Sequence, residues 1–218
     1  MPKYVLRHFG LVMLTLIACV ALAVAQELSP VPLPLPQTSG GRPLMQVLKD
    51  RHSSREFSSQ KLPPQVLSNL LWAAFGVNRP ESGKRTAPSA MNWQEIDLYV
   101  ATQDGLYLYD AKANALNPIL TQDVRGATGQ QPFVKEAAVN LVYVADLAKT
   151  VKAGVEDQTL YTAADTGFIA QNVYLFCASE GLAAVVRGSV DRVALAKLIK
   201  LRPNQKIILA QTVGYPKK

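Results

Sequence analysis

The sequence predicts an α+β fold in which a mixed sheet is flanked by helices, and three features of the chain lead there. Segments with helical and with strand periodicity alternate irregularly, unlike the strict order that builds a doubly wound parallel sheet. Residues 137–146 form a nearly continuous apolar run, the pattern of a strand covered on both faces. Residues 162–180 carry Phe168, Ile169, Val173, Leu175, Phe176 and Ala178, an apolar surface too broad for a surface helix, so this helix is expected to be central and packed on both sides. With 218 residues, 49% of them hydrophobic and 18% charged, the chain is long enough for one substantial core. No central stretch has the composition of a linker and no segment repeats.

Taken in order, residues 1–25 have the three parts of a secretory signal: Lys3 and Arg7, an apolar run over residues 9–21, and Ala23-Val24-Ala25 before Gln26. The mature protein is expected to begin near Gln26 and to reside outside the cytoplasm, periplasmic or extracellular. Leu16-Ile17-Ala18-Cys19 offers an alternative, a lipidation site that would tie the chain to a membrane through Cys19, but the residues after it stay apolar, which favours soluble export. Residues 26–42 hold Pro30, Pro32, Pro34 and Pro36 alternating with apolar side chains, an extended arm that serves as a spacer or as a strap on a partner subunit. The folded domain is placed at 43–218. Its first helix covers 43–50, with Pro43 in the first turn and Leu44, Val47 and Leu48 at helical spacing.

A second helix opens at Pro63-Pro64, with Val66, Leu67, Leu70, Leu71, Ala74 and Phe75 on one side and Gly76 as its stop. Strands are predicted over 95–101 and 105–110, the second bearing Tyr107 and Tyr109 as the exposed half of an edge hairpin. An irregular loop or short helix covers 124–133 and precedes the buried strand. After the central helix, Gly181 stops it and a short apolar strand runs to an Arg187-Gly188 turn. A helix over 191–201 and a last strand from Gln205 to a turn at Pro216 complete the domain.

Two stretches carry chemistry. Arg51-His52-Ser53-Ser54-Arg55-Glu56-Phe57 sets two guanidinium groups and a hydroxyl just beyond the first helix, donors suited to a phosphate ester because the planar fork of Arg bonds two oxygens at once. Pro88-Ser89-Ala90-Met91-Asn92-Trp93-Gln94 is a turn whose side-chain amides both donate and accept, which suits the edge of a flavin ring or a ribityl chain.

In this order the segments resemble the nitroreductase-type FMN oxidoreductases, over about residues 43–216. Arg51, Ser53 and Arg55 with Phe57 are similar to the phosphate and ribityl signature of that family, where the backbone at the His52 position also meets the ribityl phosphate. Pro88, Ser89 and Asn92 with Gln94 resemble its flavin-edge loop. Asp165 and Gly167 through Gln171-Asn172 to Gly181-Leu182 resemble its long central helix at a dimer interface. Val186, Arg187 and Gly188 fall where backbone amides approach the flavin, and Val213-Gly214-Tyr215-Pro216 resembles the closing strand. Many relatives carry further basic residues beyond that turn to close on the phosphate; here Lys217 and Lys218 follow it.

The resemblance implies a mostly antiparallel sheet, FMN as cofactor, NAD(P)H as an electron donor, a small-molecule substrate, and a homodimer whose sites are built from both chains. It implies a two-step hydride exchange in which the flavin carries the chemistry and no side chain need be catalytic. The tyrosine-rich hairpin and the Gly-Tyr-Pro ending also resemble the branch containing azoline-oxidising peptide dehydrogenases, and a fold-retaining binding protein is a further alternative.

Other classes are disfavoured by the same residues. The net charge of +7 is scattered rather than gathered in a basic stripe with aromatics, so no nucleic-acid partner is expected. No histidine or cysteine cluster suggests a metal site, and no serine sits in a triad motif. Cys177 is expected to pack in the core, Asp165 to cap the central helix, and Arg187, a cation ending a buried strand, to need a partner.

Overall fold

The computed structural model describes residues 29–217. The predicted signal and Cys19 lie outside the described residues. The strands are β1 (Val31–Pro32), β2 (Val77–Arg79), β3 (Lys84–Arg85), β4 (Ile96–Thr102), β5 (Gly105–Asp110), β6 (Ala115–Leu120), β7 (Val139–Asp146), β8 (Ala183–Arg187) and β9 (Gln205–Gly214). The helices are α1 (Leu44–Asp50), α2 (Pro64–Phe75), α3 (Val155–Glu180) and α4 (Arg192–Leu198). A seven-stranded sheet has the order β1-β6-β5-β4-β7-β9-β8, and β2 and β3 form a separate hairpin. Every pairing is antiparallel, which bears out the expected predominance of antiparallel strands.

The period of two along each strand sorts its side chains between two cores. Leu98, Val100, Leu141 and Tyr143 face α2 and α3, where Leu70, Leu71, Ile169, Val173 and Cys177 cover them. Tyr99, Ala101, Val142, Val144 and Ile207 face the other way, under Leu195 and Ile199 from α4 and the residue after it. Because β7 is covered on both faces, all eight of its residues are buried.

Three expectations need correction. First, α3 begins at Val155 rather than 162, because its opening turns carry Glu156, Asp157, Gln158 and Thr159, which are stabilised at a helix N-terminus without showing apolar periodicity. Asp165 therefore lies well inside the helix and does not cap it. Second, β5 is not an edge strand: β6 pairs with it through a segment containing Pro118, so Tyr109 is buried. Third, the arm lies on its own chain. Val31 and Pro32 pair with β6, the Ser68 hydroxyl and the Asn114 amide both donate to the Pro34 carbonyl, and Gln65 donates to the Leu35 carbonyl.

At its far end α3 stops where the sequence places the stop. Gly181 adopts φ 70°, a left-handed conformation that costs glycine little, and the Gly181 and Leu182 amides both donate to the Cys177 carbonyl. One side of α3 faces the core, whereas Leu160 (60% exposed) and Phe168 (48% exposed) remain uncovered within the single chain.

Candidate flavin site

The loop after α1 is fastened at both ends by backbone bonds. The Arg51 amide caps α1 by donating to the Val47 carbonyl, and Ser54 donates to the Ala184 carbonyl at 2.9 Å, laying the loop along the outer edge of β8. Beyond it, Phe57 bridges Pro216, Ser58 donates to the Tyr215 carbonyl at 2.9 Å, and Lys217 donates to the Glu56 carbonyl at 3.4 Å. The buried Phe57 ring packs on Phe133 with centroids 5.4 Å apart. This backbone pairing of residue 217 with residue 56 lays two short segments far apart in the chain, each rich in basic residues, against one another.

Tyr174 on α3 is the anchor of this region, and sequence reasoning missed it. Its hydroxyl lies 2.9 Å from Ser53 Oγ and accepts the Val186 amide at 2.8 Å, and its ring lies 5.3 Å below the Arg51 guanidinium. A tyrosine in an apolar helix reads as packing, so no sequence signal marks it. Among the described residues, Arg51, Arg55 and Lys217 enter no ion pair. His52 is exposed with its Nδ1 2.7 Å from the Asp50 carbonyl oxygen.

The second cluster is built on strained backbone. Met91, Asn92 and Gln94 have φ of 50°, 54° and 48°, a region that non-glycine residues enter only when their surroundings over-determine them. The determinants are visible. Ser89 Oγ accepts the Gln94 amide at 2.8 Å and donates to Glu95 Oε2 at 3.2 Å, while the Ala90 amide donates to Asp165 Oδ2 at 2.9 Å. Gln94 is gripped further: Arg85 Nε donates to its side-chain oxygen at 2.8 Å, and Lys149 Nζ donates to its carbonyl at 3.1 Å. The Ser89 side chain is thus spent on its own loop, while Pro88 and Asn92 are exposed. Asn92 Oδ1 accepts from Gln94 Nε2 at 3.0 Å, and its amide nitrogen has no hydrogen-bond partner among the described residues. The loop borders an open depression of about 220 Å³ shared with Arg79, Lys84 and Arg85.

Beneath this loop sits a pair of acids. Glu95 is 0% exposed and Asp165 is 2% exposed. Desolvation, opposed by hydrogen bonds to the backbone and Ser89 and reinforced by the neighbouring Asp165, pushes the Glu95 carboxyl up to about 7.

At the third sequence-marked place, β8, the side chains turn inward. Arg187 is 4% exposed and its partners are neutral: Thr212 Oγ1 at 2.8 Å, the Thr128 carbonyl at 2.7 Å and Asn140 Oδ1 at 2.9 Å. The partner expected for this cation is therefore a ring of oxygen dipoles and not a ligand phosphate. The Val186 amide is occupied by Tyr174, and a Cβ on Gly188 would meet only Leu209 at 3.9 Å, so packing within this chain does not demand glycine there.

The two clusters do not meet within one chain. One is tied to Asp165 and the other to Tyr174, which at about 1.5 Å per residue stand roughly 13 Å apart along α3. The donors that the first loop carries, two guanidinium groups and a hydroxyl, with the guanidinium groups in no ion pair among the described residues, are of the kind that fits a phosphate ester.

Fold and donors together define an antiparallel α+β protein with an arginine-bearing loop at a sheet edge and a carboxamide turn bonded to its longest helix at Asp165. Residues 48–215 match the Nitroreductase family, and the chain belongs to it. A candidate nitroreductase of Methanocaldococcus jannaschii is 31% identical over 169 residues, covering 73% of this chain and 85% of that protein. The crystal structure of a candidate nitroreductase from Ralstonia eutropha JMP134 shares 42% identity at a TM-score of 0.84, over 90% of this chain and 93% of that one. In fold alone the chain is also similar to the NADPH:FMN oxidoreductase of Vibrio harveyi complexed with NAD+, at 20% identity and a TM-score of 0.61, over 80% of this chain and 69% of that one.

Proposed function

We propose that the protein is an exported FMN-dependent oxidoreductase that acts on a small organic acceptor, with NAD(P)H as a donor, and that it works as a homodimer. The observation that carries the cofactor is that Tyr174 gathers Arg51 and Ser53 of the loop, which also holds Arg55 and is paired through its backbone with Lys217, while none of these cations enters an ion pair among the described residues. Such a set is stabilised by a dianionic ester and repels itself without one. Bound FMN supplies hydride exchange through its N5; the protein supplies position and charge. Arg51, Ser53, Arg55 and Lys217 hold the phosphate and ribityl end, and Asn92 addresses the ring edge or ribityl oxygens. The Gly188 amide serves the electron-rich ring as a hydrogen-bond donor.

The roughly 13 Å between the clusters along α3 is what favours two chains. A second copy related by a two-fold axis, with its α3 antiparallel to the first, sets the cation loop of one chain opposite the Asn92 loop of the other. The uncovered side chains support that contact: Leu44, Met45 and Leu48 on α1 and Leu160 and Phe168 on α3 are all exposed in the single chain. Export rests on the signal pattern of residues 1–25.

Replacing Arg51 and Arg55 together by Ala is expected to weaken FMN binding by a factor of about 100 or more, since each charge-assisted bond contributes about 1.5–3 kcal/mol. Fluorescence titration with FMN measures it, and circular dichroism establishes that the fold is retained. Unchanged affinity in a folded double variant would remove the phosphate site from this loop.

A further inference from the structure

The loop that presents Asn92 is held from below by two carboxyl groups, and their geometry says more than the cofactor assignment does. Glu95 Oε1 is fully buried and has no hydrogen-bond partner among the described residues, while Asp165, whose carboxyl holds the same loop, is near enough for its charge to disfavour a charge on Glu95. Two carboxylates only accept, so they cannot bond one another; one carboxylic acid and one carboxylate can. A single proton on Glu95 therefore provides the donor that the pair lacks. It also leaves Asp165 Oδ2 accepting from the Ala90 amide and lets Glu95 keep the Ser89 hydroxyl.

We propose that Glu95 carries a proton beside Asp165 and that the two side chains form a latch that positions the Asn92 loop for the flavin, closed while Glu95 holds its proton and loosened when it is lost. Glu95 is a positioning residue: it touches the loop and not the cofactor, and its role in binding rests on the FMN reading above. Three observations support the latch independently of any titration. The loop contains three residues in left-handed backbone, so it needs restraint to keep its shape. Two of the bonds that restrain it, from the Ala90 amide and the Ser89 hydroxyl, end on the two acids. Neither acid is exposed, so water cannot replace the missing donor without opening the loop.

The charges around the pair are few. From α3 comes Asp165 itself; from the loop, the neutral Ser89. Lys149, from the 3-10 turn after β7, is committed to the Gln94 carbonyl and to Asp97, and Arg85 is committed to the Gln94 side chain and the Phe75 carbonyl. Of these, the coulombic influence on Glu95 comes from Asp165 and opposes ionisation. A second negative charge in this space is expelled toward solvent, and the loop must open to let it out.

The test compares the wild type with Glu95→Gln, whose side chain can donate to Asp165 and accept from Ser89 at every pH. FMN titration from pH 6 to pH 8 is expected to show wild-type affinity falling about tenfold as the Glu95 proton leaves, with the variant flat. Hydrogen exchange of the peptide containing Ala90 and Gln94, in cofactor-free protein, is expected to show those amides less protected in the wild type than in Glu95→Gln at pH 8 and equally protected at pH 6. Identical pH profiles of the two proteins in both measurements overturn the latch. If neither protein takes up FMN at any pH, the flavin reading fails and the exchange comparison alone decides the latch.

Discussion

Replacing Arg187 by Met is expected to destabilise the fold by about 3–5 kcal/mol, because the substitution removes a buried cation and leaves its oxygen partners in place. The Thr128 carbonyl, Asn140 Oδ1 and Thr212 Oγ1 each bond the guanidinium, and all three residues are completely buried. Burial lowers the Arg187 pKa to about 10, so the group stays protonated at neutral pH and is held by dipoles alone. Met matches much of the volume, which confines the loss to the bonds. Lys should rescue little, since a point charge cannot reach acceptors spread around a planar fork. The tightness of the site accounts for Gly129, where a Cβ would fall 1.9 Å from Arg187 Nη1. Equilibrium unfolding in urea measures the effect, and an unchanged midpoint would show that the oxygen ring contributes nothing. Residual FMN affinity in the folded fraction separates this structural role from a role in holding the cofactor.

The second large effect is a pH dependence of stability. In the folded protein Glu95 titrates near 7, above the ordinary carboxyl value of 4.5. A raised pKa means that folding favours the protonated form, so the stabilisation is complete below the unfolded value and is lost as pH rises through the folded one. Glu95 alone is expected to withdraw about 3 kcal/mol between pH 4.5 and pH 8, at up to about 1.4 kcal/mol per pH unit. Glu95→Gln is expected to be nearly neutral at pH 4.5 and stabilising by a similar amount at pH 8. Urea midpoints of both proteins at those two pH values measure the difference, with other carboxylates cancelling in the comparison. A variant less stable than the wild type at pH 8 would mean that folding does not disfavour the Glu95 anion, and would contradict the raised pKa.

How far the sequence could be read depended on whether a contact is local. The cation loop was legible because Arg51, Ser53 and Arg55 lie within one short turn, and the carboxamide turn because Pro88, Ser89 and Asn92 are near neighbours. The Gly181 stop and the buried character of β7 followed from local pattern as well. What escaped is non-local. Glu95 and Asp165 come to hold one loop only after β4 packs on α3, and Arg187 finds Thr128, Asn140 and Thr212 on three separate elements. Tyr174 becomes an anchor only once the loop and β8 are laid against it. The β6 strand was hidden by Pro118, a residue that argues against a strand unless, as here, a bulge accompanies it. Lys217 could be named from its position after the closing turn, but its backbone pairing with Glu56 is a long-range contact that no local pattern shows.

The central claim is that each flavin lies between the cation loop of one chain and the Asn92 loop of another. Mixing copies tests it directly. One copy carries Arg51→Ala with Arg55→Ala, the other carries Asn92→Ala, and each alone binds FMN weakly. After joint refolding, sites shared between chains leave every mixed dimer with one intact site, built from the undamaged loop of each copy, and tight FMN binding returns. Sites contained within single chains carry a lesion in every copy, and a mixture that binds FMN no better than its two parents would contradict the shared site.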